Sequence, residues 1–301
     1  MKAFRSLLGV AAILMGASGA SAFAQYGTPE TLKTELKQGD DLSFPAEATE
    51  LGTFTNLSNA LLAPGSKGSG KLPALVVFHT CGGVKQHIRH WAEEALKEGY
   101  VVLVPDAMRG LKNDCGSPPQ IANARLVKDA LDAVAHLATL PYVDARRIAV
   151  LGVSKGALVA TWAASSSVAN ALRPGAPPIA AAISVYGFCA LAPTRARPQG
   201  VQILQPDTDR PLLMLLGGKD NETPPASCLE RLPRLKEAGA PVEWHLYPDA
   251  THSWDQSELH GFTKTAYNGE RVTYLYDQAV TEDTRKRIFD FLARRTARTE
   301  K

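Results

Sequence analysis

Six short apolar runs recur along the chain, and polar or helix-forming sequence separates them. The runs occupy residues 74–79, 100–105, 147–152, 181–187, 211–218 and 242–248. Short β-branched runs that are bounded by turn residues are typical of strands buried on both faces of a parallel sheet. We therefore predict six parallel strands, and a further early strand within residues 54–63.

Helical periodicity appears between and after these runs. Apolar residues recur at three- and four-residue steps over residues 87–97, 118–138 and about 281–295, and a helix of small residues follows position 154. Strand–helix alternation of this kind predicts a mostly parallel sheet with helices on both faces. With no internal repeat or linker, we expect one α/β domain over residues 25–301.

The first 24 residues have the pattern of a cleaved secretory leader. Lys2 and Arg5 precede a short apolar core, and an Ala-Phe-Ala sequence ends at Ala24. Such a segment is removed from the mature protein. Because no later stretch approaches the length of a membrane span, we expect an exported chain, periplasmic or secreted, without a membrane anchor after cleavage.

Charge excludes two classes of partner. The chain has 33 Lys and Arg against 30 Asp and Glu, and two of the basic residues lie in the leader, which leaves 31 against 30. A balance so near zero provides no field for nucleic acid or for anionic lipid. The expected partner is a small molecule.

The chain has four cysteines, all after the leader: Cys81, Cys115, Cys189 and Cys228. An even number in an exported protein favours two disulfides. Three pairings are possible; sequence order suggests Cys81–Cys115 and Cys189–Cys228, although spacing alone does not choose among them. The spacings match no zinc motif, so we expect no metal.

The sequence GVSKG at residues 152–156 lies between a predicted strand and a small-residue helix. A sharp turn there lifts a serine hydroxyl into the open, and the flanking glycines allow the close approach of backbone that the turn requires. Ser154 is therefore a candidate nucleophile. The alternative is a serine that only caps the helix.

A serine nucleophile needs a base and an acid that orients the base. Asp220 and His252 follow the fifth and sixth predicted strands, at the edge of a parallel sheet where ligands bind. The chain order Ser154, Asp220, His252 is the order found in α/β hydrolases. Other candidates for the acid are Glu222, Asp249 and Asp255.

The sequence HTCGG at residues 79–83 follows the first buried strand. Acyl transfer requires fixed donors for an oxyanion, and we assign this role to the backbone N–H groups of Cys81 and Lys155. His79 is interpreted as structural. Three further residues are candidates for substrate binding. Arg109 would face a substrate carboxylate, with a surface position as the alternative. Trp254 and Phe262 would line an apolar acyl pocket, with packing as the alternative.

Together, HTCGG, GVSKG, GGKDNETP (217–224) and YPDATHSW (247–254) resemble the dienelactone hydrolase family of α/β hydrolases, over about residues 72–295. The resemblance implies a central sheet of about eight strands, no cofactor and hydrolysis of esters or lactones. It also implies the catalytic roles already assigned to Ser154, Asp220 and His252, and an oxyanion donor at Cys81.

The sequence departs from the type enzymes of that family at two positions. Ser154 replaces their cysteine nucleophile, and Thr80 replaces a glutamate. These departures favour a general carboxylesterase over an enzyme specific for the dienelactone. Two alternatives are an acyl-CoA thioesterase, which the SKGA sequence also resembles, and a binding protein that keeps the scaffold without activity.

Overall fold

The computed structural model describes residues 27–36, 41–49, 59–65, 70–116, 119–193 and 200–297. The predicted leader and the first part of the predicted early strand lie outside these ranges. Within them, no helix has both the length and the apolarity needed to cross a bilayer.

Seven strands of the described chain form the central sheet. The strands in chain order are β1 (Ala60–Leu62), β2 (Leu72–Phe78), β3 (Val101–Val104), β4 (Val143–Val153), β5 (Ala181–Val185), β6 (Ala190–Leu191), β7 (Val201–Gln202), β8 (Leu212–Gly217), β9 (Val242–Tyr247), β10 (Thr263–Thr265) and β11 (Arg271–Thr273). The sheet order is β1-β3-β2-β4-β5-β8-β9, with only β1 antiparallel to its neighbour. The predicted α/β class and its mostly parallel sheet are confirmed, with seven strands described where the resemblance implied about eight.

Helices cover both faces of this sheet. They are α1 (Pro29–Glu35), α2 (Gln86–Lys97), α3 (Asn123–Thr139), α4 (Lys155–Ala163), α5 (Ser166–Leu172), α6 (Ala226–Glu237) and α7 (Gln278–Arg295). Alternate residues of a strand point to opposite faces, so Val76 of β2 packs in the cluster that includes α3 and α4. Its neighbour Val77 packs in the cluster that includes α2 and α7.

Helix α3 begins five residues later than the predicted start at 118. The N–H groups of Gln120 and Ile121 donate instead to the carboxylate of Asp114, at 2.6 and 3.3 Å. Helix α7 begins earlier than predicted, at Gln278, because the side chain of Asp277 accepts a hydrogen bond from a first-turn N–H group and caps the helix.

The structure joins the cysteines in the pairs that chain order suggested. Cys81–Cys115 links the turn after β2 to the loop after β3, and Cys189–Cys228 links the end of β5 to α6. The first disulfide therefore lies at the carboxyl edge of the sheet, beside the candidate active site.

Candidate active site

Ser154 lies at the turn between β4 and α4, with φ of 53° and ψ of −114°. Non-glycine residues rarely adopt a positive φ, and such strain is concentrated at functional sites. The flanking glycines make the turn possible: a Cβ on Gly152 would overlap the carbonyl of Gly156, and a Cβ on Gly156 would overlap the carbonyl of Phe78. Positions 152 and 156 therefore require glycine, because other backbone segments pack directly against them.

Three side chains from separate loops form one hydrogen-bonded chain. Ser154 Oγ lies 2.9 Å from Nε2 of His252, whose Nδ1 lies 2.7 Å from Oδ2 of Asp220. All three side chains are buried. When Nδ1–H donates to the carboxylate, Nε2 carries the lone pair and is able to accept the serine proton.

The carboxylate of Asp220 is held by three further donors. Its Oδ1 accepts from the N–H groups of Glu222 and Thr223, and its Oδ2 accepts from Thr223 Oγ1 at 2.6 Å. Burial opposes the charge on Asp220, but the adjacent His252 and these hydrogen bonds lower its pKa. Burial likewise disfavours the imidazolium, yet the charge and hydrogen bond of Asp220 outweigh it and raise the pKa of His252.

The other candidate acids have partners other than the histidine ring. Glu222 is 2.9 Å from the ammonium of Lys264. Asp249 is exposed to solvent on the surface. Asp255 accepts a hydrogen bond of 2.7 Å from the indole of Trp91. The structure therefore brings Asp220, rather than any of these three, to the ring of the histidine.

The loop that follows β2 places the Cys81 backbone beside the serine. The N–H of Gly82 donates to Thr80 Oγ1, and the N–H of Gly83 donates to the Thr80 carbonyl. On the other side, Lys155 occupies the first turn of α4, where N–H groups have no partner inside the helix. Cys81 and the serine line one cavity, so this geometry suits the oxyanion role expected for the two N–H groups.

His79 supports this loop. Its Nδ1 lies 2.7 Å from the Thr80 carbonyl, and its Nε2 accepts from the N–H of Ala107 at 3.0 Å. Burial lowers the pKa of His79, which fits a neutral ring that donates from Nδ1. His79 therefore connects the loop after β2 to the loop after β3, the structural position that the sequence suggested.

The Lys155 side chain also supports the loop. Its Nζ bonds the carboxylate of Asp114 and, at 3.1 Å, the Asp114 carbonyl. The N–H of Asp114 in turn donates to the Cys81 carbonyl at 2.7 Å. An ion pair thus joins the turn at Ser154 to the loop after β3, and a disulfide joins that loop to the Cys81 loop.

A cavity of about 530 Å³ opens over Ser154. Charged side chains such as Glu222 and Lys264 line part of it, and its apolar surface comes from Cys81, Leu259, Phe262 and Tyr274. The β10–β11 hairpin and the segment before it contribute the last three. The shape and lining suit a small organic molecule that presents a carbonyl to the serine.

Of the three predicted substrate-binding side chains, Phe262 lines this cavity, whereas the assignments of Arg109 and Trp254 require correction. Arg109 makes a bidentate contact with the buried carboxylate of Asp129 on α3, with distances of 2.8 and 2.7 Å, which commits the guanidinium to structure. Trp254 is fully buried, donates to Thr284 Oγ1 and packs edge-on against Tyr186. Phe262 is the aromatic residue after the histidine that reaches the cavity.

Sequence reasoning missed Thr223 and Tyr274. Thr223 bonds both the acid and, at 3.2 Å, Nδ1 of the histidine. Its position three residues after Asp220, where Asx-type turns form, is a usable signal. Tyr274 donates to Glu222 at 2.6 Å from 52 residues away, and no local pattern indicates that contact.

The fold and the strand–serine–helix turn define a hydrolase of the α/β type. The model of the dienelactone hydrolase family matches residues 59–296, and the chain belongs to that family, whose members act on ester bonds. It is 27% identical over 250 residues to the "Putative carboxymethylenebutenolidase" of Escherichia coli (strain K12), covering 80% of this chain and 88% of the relative. A Salmonella typhimurium relative with the same description is 26% identical, covering 80% and 89%.

Solved structures share the fold. The "Putative Dienelactone Hydrolase" of Klebsiella pneumoniae superposes with a TM-score of 0.58 at 22% identity, covering 76% of this chain and 90% of that one. Thermogutta terrifontis esterase 2, solved after phosphorylation by paraoxon, has a TM-score of 0.57 at 17% identity, covering 86% and 98%.

Proposed function

We propose that the protein is an exported serine hydrolase that cleaves carboxylic esters or lactones. Ser154 is the nucleophile, His252 the general base and Asp220 the acid that orients the base. The observation that carries the proposal is the continuous hydrogen-bonded chain of 2.9 and 2.7 Å through three buried side chains from three loops. Membership of the dienelactone hydrolase family supports the ester as substrate.

In the first half of the reaction, His252 Nε2 takes the proton of Ser154 as Oγ attacks the carbonyl carbon. The N–H groups of Cys81 and Lys155 stabilise the oxyanion. The bond between the carbonyl carbon and the alkoxy oxygen then breaks, and the imidazolium, stabilised by Asp220, gives its proton to that oxygen. The alcohol leaves, and the acyl group remains on Ser154 Oγ as an acyl-enzyme. For a lactone, the alcohol stays attached to the acyl group.

In the second half, water replaces the alcohol. His252 takes a proton from water, whose oxygen attacks the acyl carbon through a second oxyanion at the same two N–H groups. Collapse of this intermediate breaks the bond to Ser154 Oγ, which recovers its proton from the imidazolium. The carboxylic acid is released, and no oxidant, metal or cofactor enters the balance.

Export is supported by two independent features. The leader pattern precedes the fold, and both cysteine pairs are joined as disulfides. Disulfides persist in oxidising compartments and are rare in the reducing cytosol. Cell fractionation with an antibody tests this part of the proposal: we expect the protein outside the cytoplasm, shortened by the leader.

The catalytic part is tested on purified residues 25–301 with p-nitrophenyl acetate and a simple lactone. Ser154→Ala should abolish turnover of both, whereas the matched variant Ser166→Ala, on α5, should retain it. Unchanged turnover by Ser154→Ala contradicts the proposal. Faster turnover of acetyl-CoA than of the simple esters would identify a thioesterase instead.

A further inference from the structure

A second cavity adjoins the one over Ser154. It has a volume of about 360 Å³, and the two cavities share Gln86, His87 and Glu258 in their walls. The ester mechanism uses no residue of this second space, which we call the His87 cavity. Its walls carry four carboxylates and one guanidinium, whereas those of the cavity over Ser154 carry two carboxylates and two ammonium groups.

His87, in the first turn of α2, is buried with 2% of its surface exposed. Neither ring nitrogen has a hydrogen-bond partner in the described part of the chain. The Glu258 carboxylate lies 4.0 Å from Nδ1, which is beyond hydrogen-bond reach. A buried polar group without a partner is costly, so a ring that lines a cavity in this state indicates a position that a ligand completes.

Burial lowers the pKa of His87. A neutral imidazole presents one donor and one acceptor. The ring therefore offers a lone pair to a ligand that donates, without adding positive charge to the cavity.

The remaining charges of the His87 cavity are mostly negative. Four carboxylates line it together with one guanidinium: Glu94, Asp255, Glu258, Glu282 and Arg285. Glu94 is paired with two cations, the Lys97 ammonium at 2.6 Å and the guanidinium at 3.7 Å. Asp255 and Glu282 are bonded by neutral donors, the former by indole and phenol groups and the latter by an amide. The cavity therefore keeps an excess of negative charge.

This combination favours one ligand chemistry. A primary ammonium group carries one positive charge and three N–H donors, so it matches carboxylates and an imidazole lone pair together. A metal ion is a poorer match, because the described residues contain no group of three or more His, Cys, Asp or Glu side chains arranged to hold one.

We propose that the His87 cavity binds a primary ammonium group carried by the substrate. The substrate is then an amino ester or amino lactone. Its carbonyl lies at Ser154, and the chain that carries its amino group extends beside His87 and Glu258 into the His87 cavity. The identification of a substrate rests on the proposed function, whereas the binding of the amine does not.

Binding is tested by calorimetry on Ser154→Ala, which needs no turnover. n-Hexylamine, protonated at pH 7, should bind saturably and about ten-fold or more tighter than n-hexanol. In the Ser154→Ala background, a further Glu258→Gln or His87→Leu change should remove that difference. Glu258 is partly exposed, so its substitution is tolerated. The control change Glu270→Gln, on the exposed hairpin, should leave the difference unchanged. Equal binding of amine and alcohol, or a preference that survives Glu258→Gln, overturns the site.

The substrate class is tested on the active protein with methyl 6-aminohexanoate and methyl heptanoate. We expect kcat/KM to favour the amino ester about ten-fold, and Glu258→Gln to lose that preference. Hydrolysis of both esters at equal kcat/KM overturns the substrate class while leaving the serine mechanism intact. Hydrolysis of neither ester, with amine binding retained, is a failure of the proposed function alone.

Discussion

Ser154 and His252 are 98 residues apart in the chain, and Oγ and Nε2 are 2.9 Å apart in space. The loop after β9 reaches the serine across two intervening strands, β5 and β8. Tyr186, which follows β5, packs edge-on against the imidazole with 4.8 Å between ring centroids. The position of the base is thus fixed by the sheet and by this aromatic contact.

Asp220→Asn should lower kcat by about 10³–10⁴-fold on p-nitrophenyl acetate, because an amide no longer holds the productive tautomer of His252. Asp249→Asn is the matched control, since that carboxylate is exposed and pairs with Lys219 on the surface. Steady-state kinetics of the two variants separate the candidate acids. A large loss in Asp249→Asn with activity retained in Asp220→Asn would reverse the assignment.

The pH dependence of kcat/KM follows from the raised pKa of His252. The base must be neutral to accept the serine proton, and its pKa lies above the ordinary value of 6.5. Activity should therefore fall as the pH drops through a midpoint above 6.5. A midpoint at or below 6.5 would contradict a raised pKa for His252.

Two charges beside His252 should move that midpoint in opposite directions. The carboxylate of Glu222 raises the pKa of His252, and the ammonium of Lys264 lowers it. Glu222→Gln should shift the acid limb of the profile to lower pH, and Lys264→Met should shift it to higher pH. Circular dichroism controls for folding, and shifts of the same sign would rule out this electrostatic account.

The two disulfides should differ in their effect on catalysis, although they should contribute similarly to the free energy of unfolding. They close loops of 34 and 39 residues, and each should contribute about 4 kcal/mol in the chain-entropy model. Cys81→Ser/Cys115→Ser should also lower kcat about 10- to 100-fold, because it loosens the loop of the proposed oxyanion donor Cys81. Cys189→Ser/Cys228→Ser should leave kcat unchanged. Equal kcat in both variants would show that the Cys81–Cys115 disulfide does not support catalysis.

Lys155→Gln should retain most ester turnover but unfold more easily. The proposed chemistry uses the backbone N–H of Lys155, which the substitution keeps. Its ammonium is paired with the buried carboxylate of Asp114, and breaking a buried pair costs about 3–5 kcal/mol. Urea unfolding and ester kinetics measure both effects. A thousand-fold loss of kcat would show that the ammonium acts in the reaction itself.

The sequence predicts the sheet well because buried parallel strands are nearly continuous apolar runs. It predicts that Ser154, Asp220 and His252 lie close together, because the carboxyl ends of those strands converge at one edge. Helix α6 was not predicted: Pro225 and Pro233 interrupt the pattern there. The hairpins β6–β7 and β10–β11 are only two and three residues per strand, too short for periodicity to reveal.

Side-chain direction at the edge of the sheet is less predictable. Arg109 and Trp254 both follow strands, as Ser154 does, yet one side chain joins a buried carboxylate and the other enters the core. Chain position places a residue near the site, but long-range packing decides which way it points. His87 is a further example, since only the structure shows both its burial and its unpartnered nitrogens.

The central claim, that Ser154 is an activated nucleophile, is tested most directly by mass spectrometry after reaction with a fluorophosphonate probe. We expect one adduct, located on Ser154, that disappears in Ser154→Ala, persists in Ser166→Ala and forms more slowly in Asp220→Asn. An adduct at another residue, or no adduct on folded protein that hydrolyses esters, would contradict it.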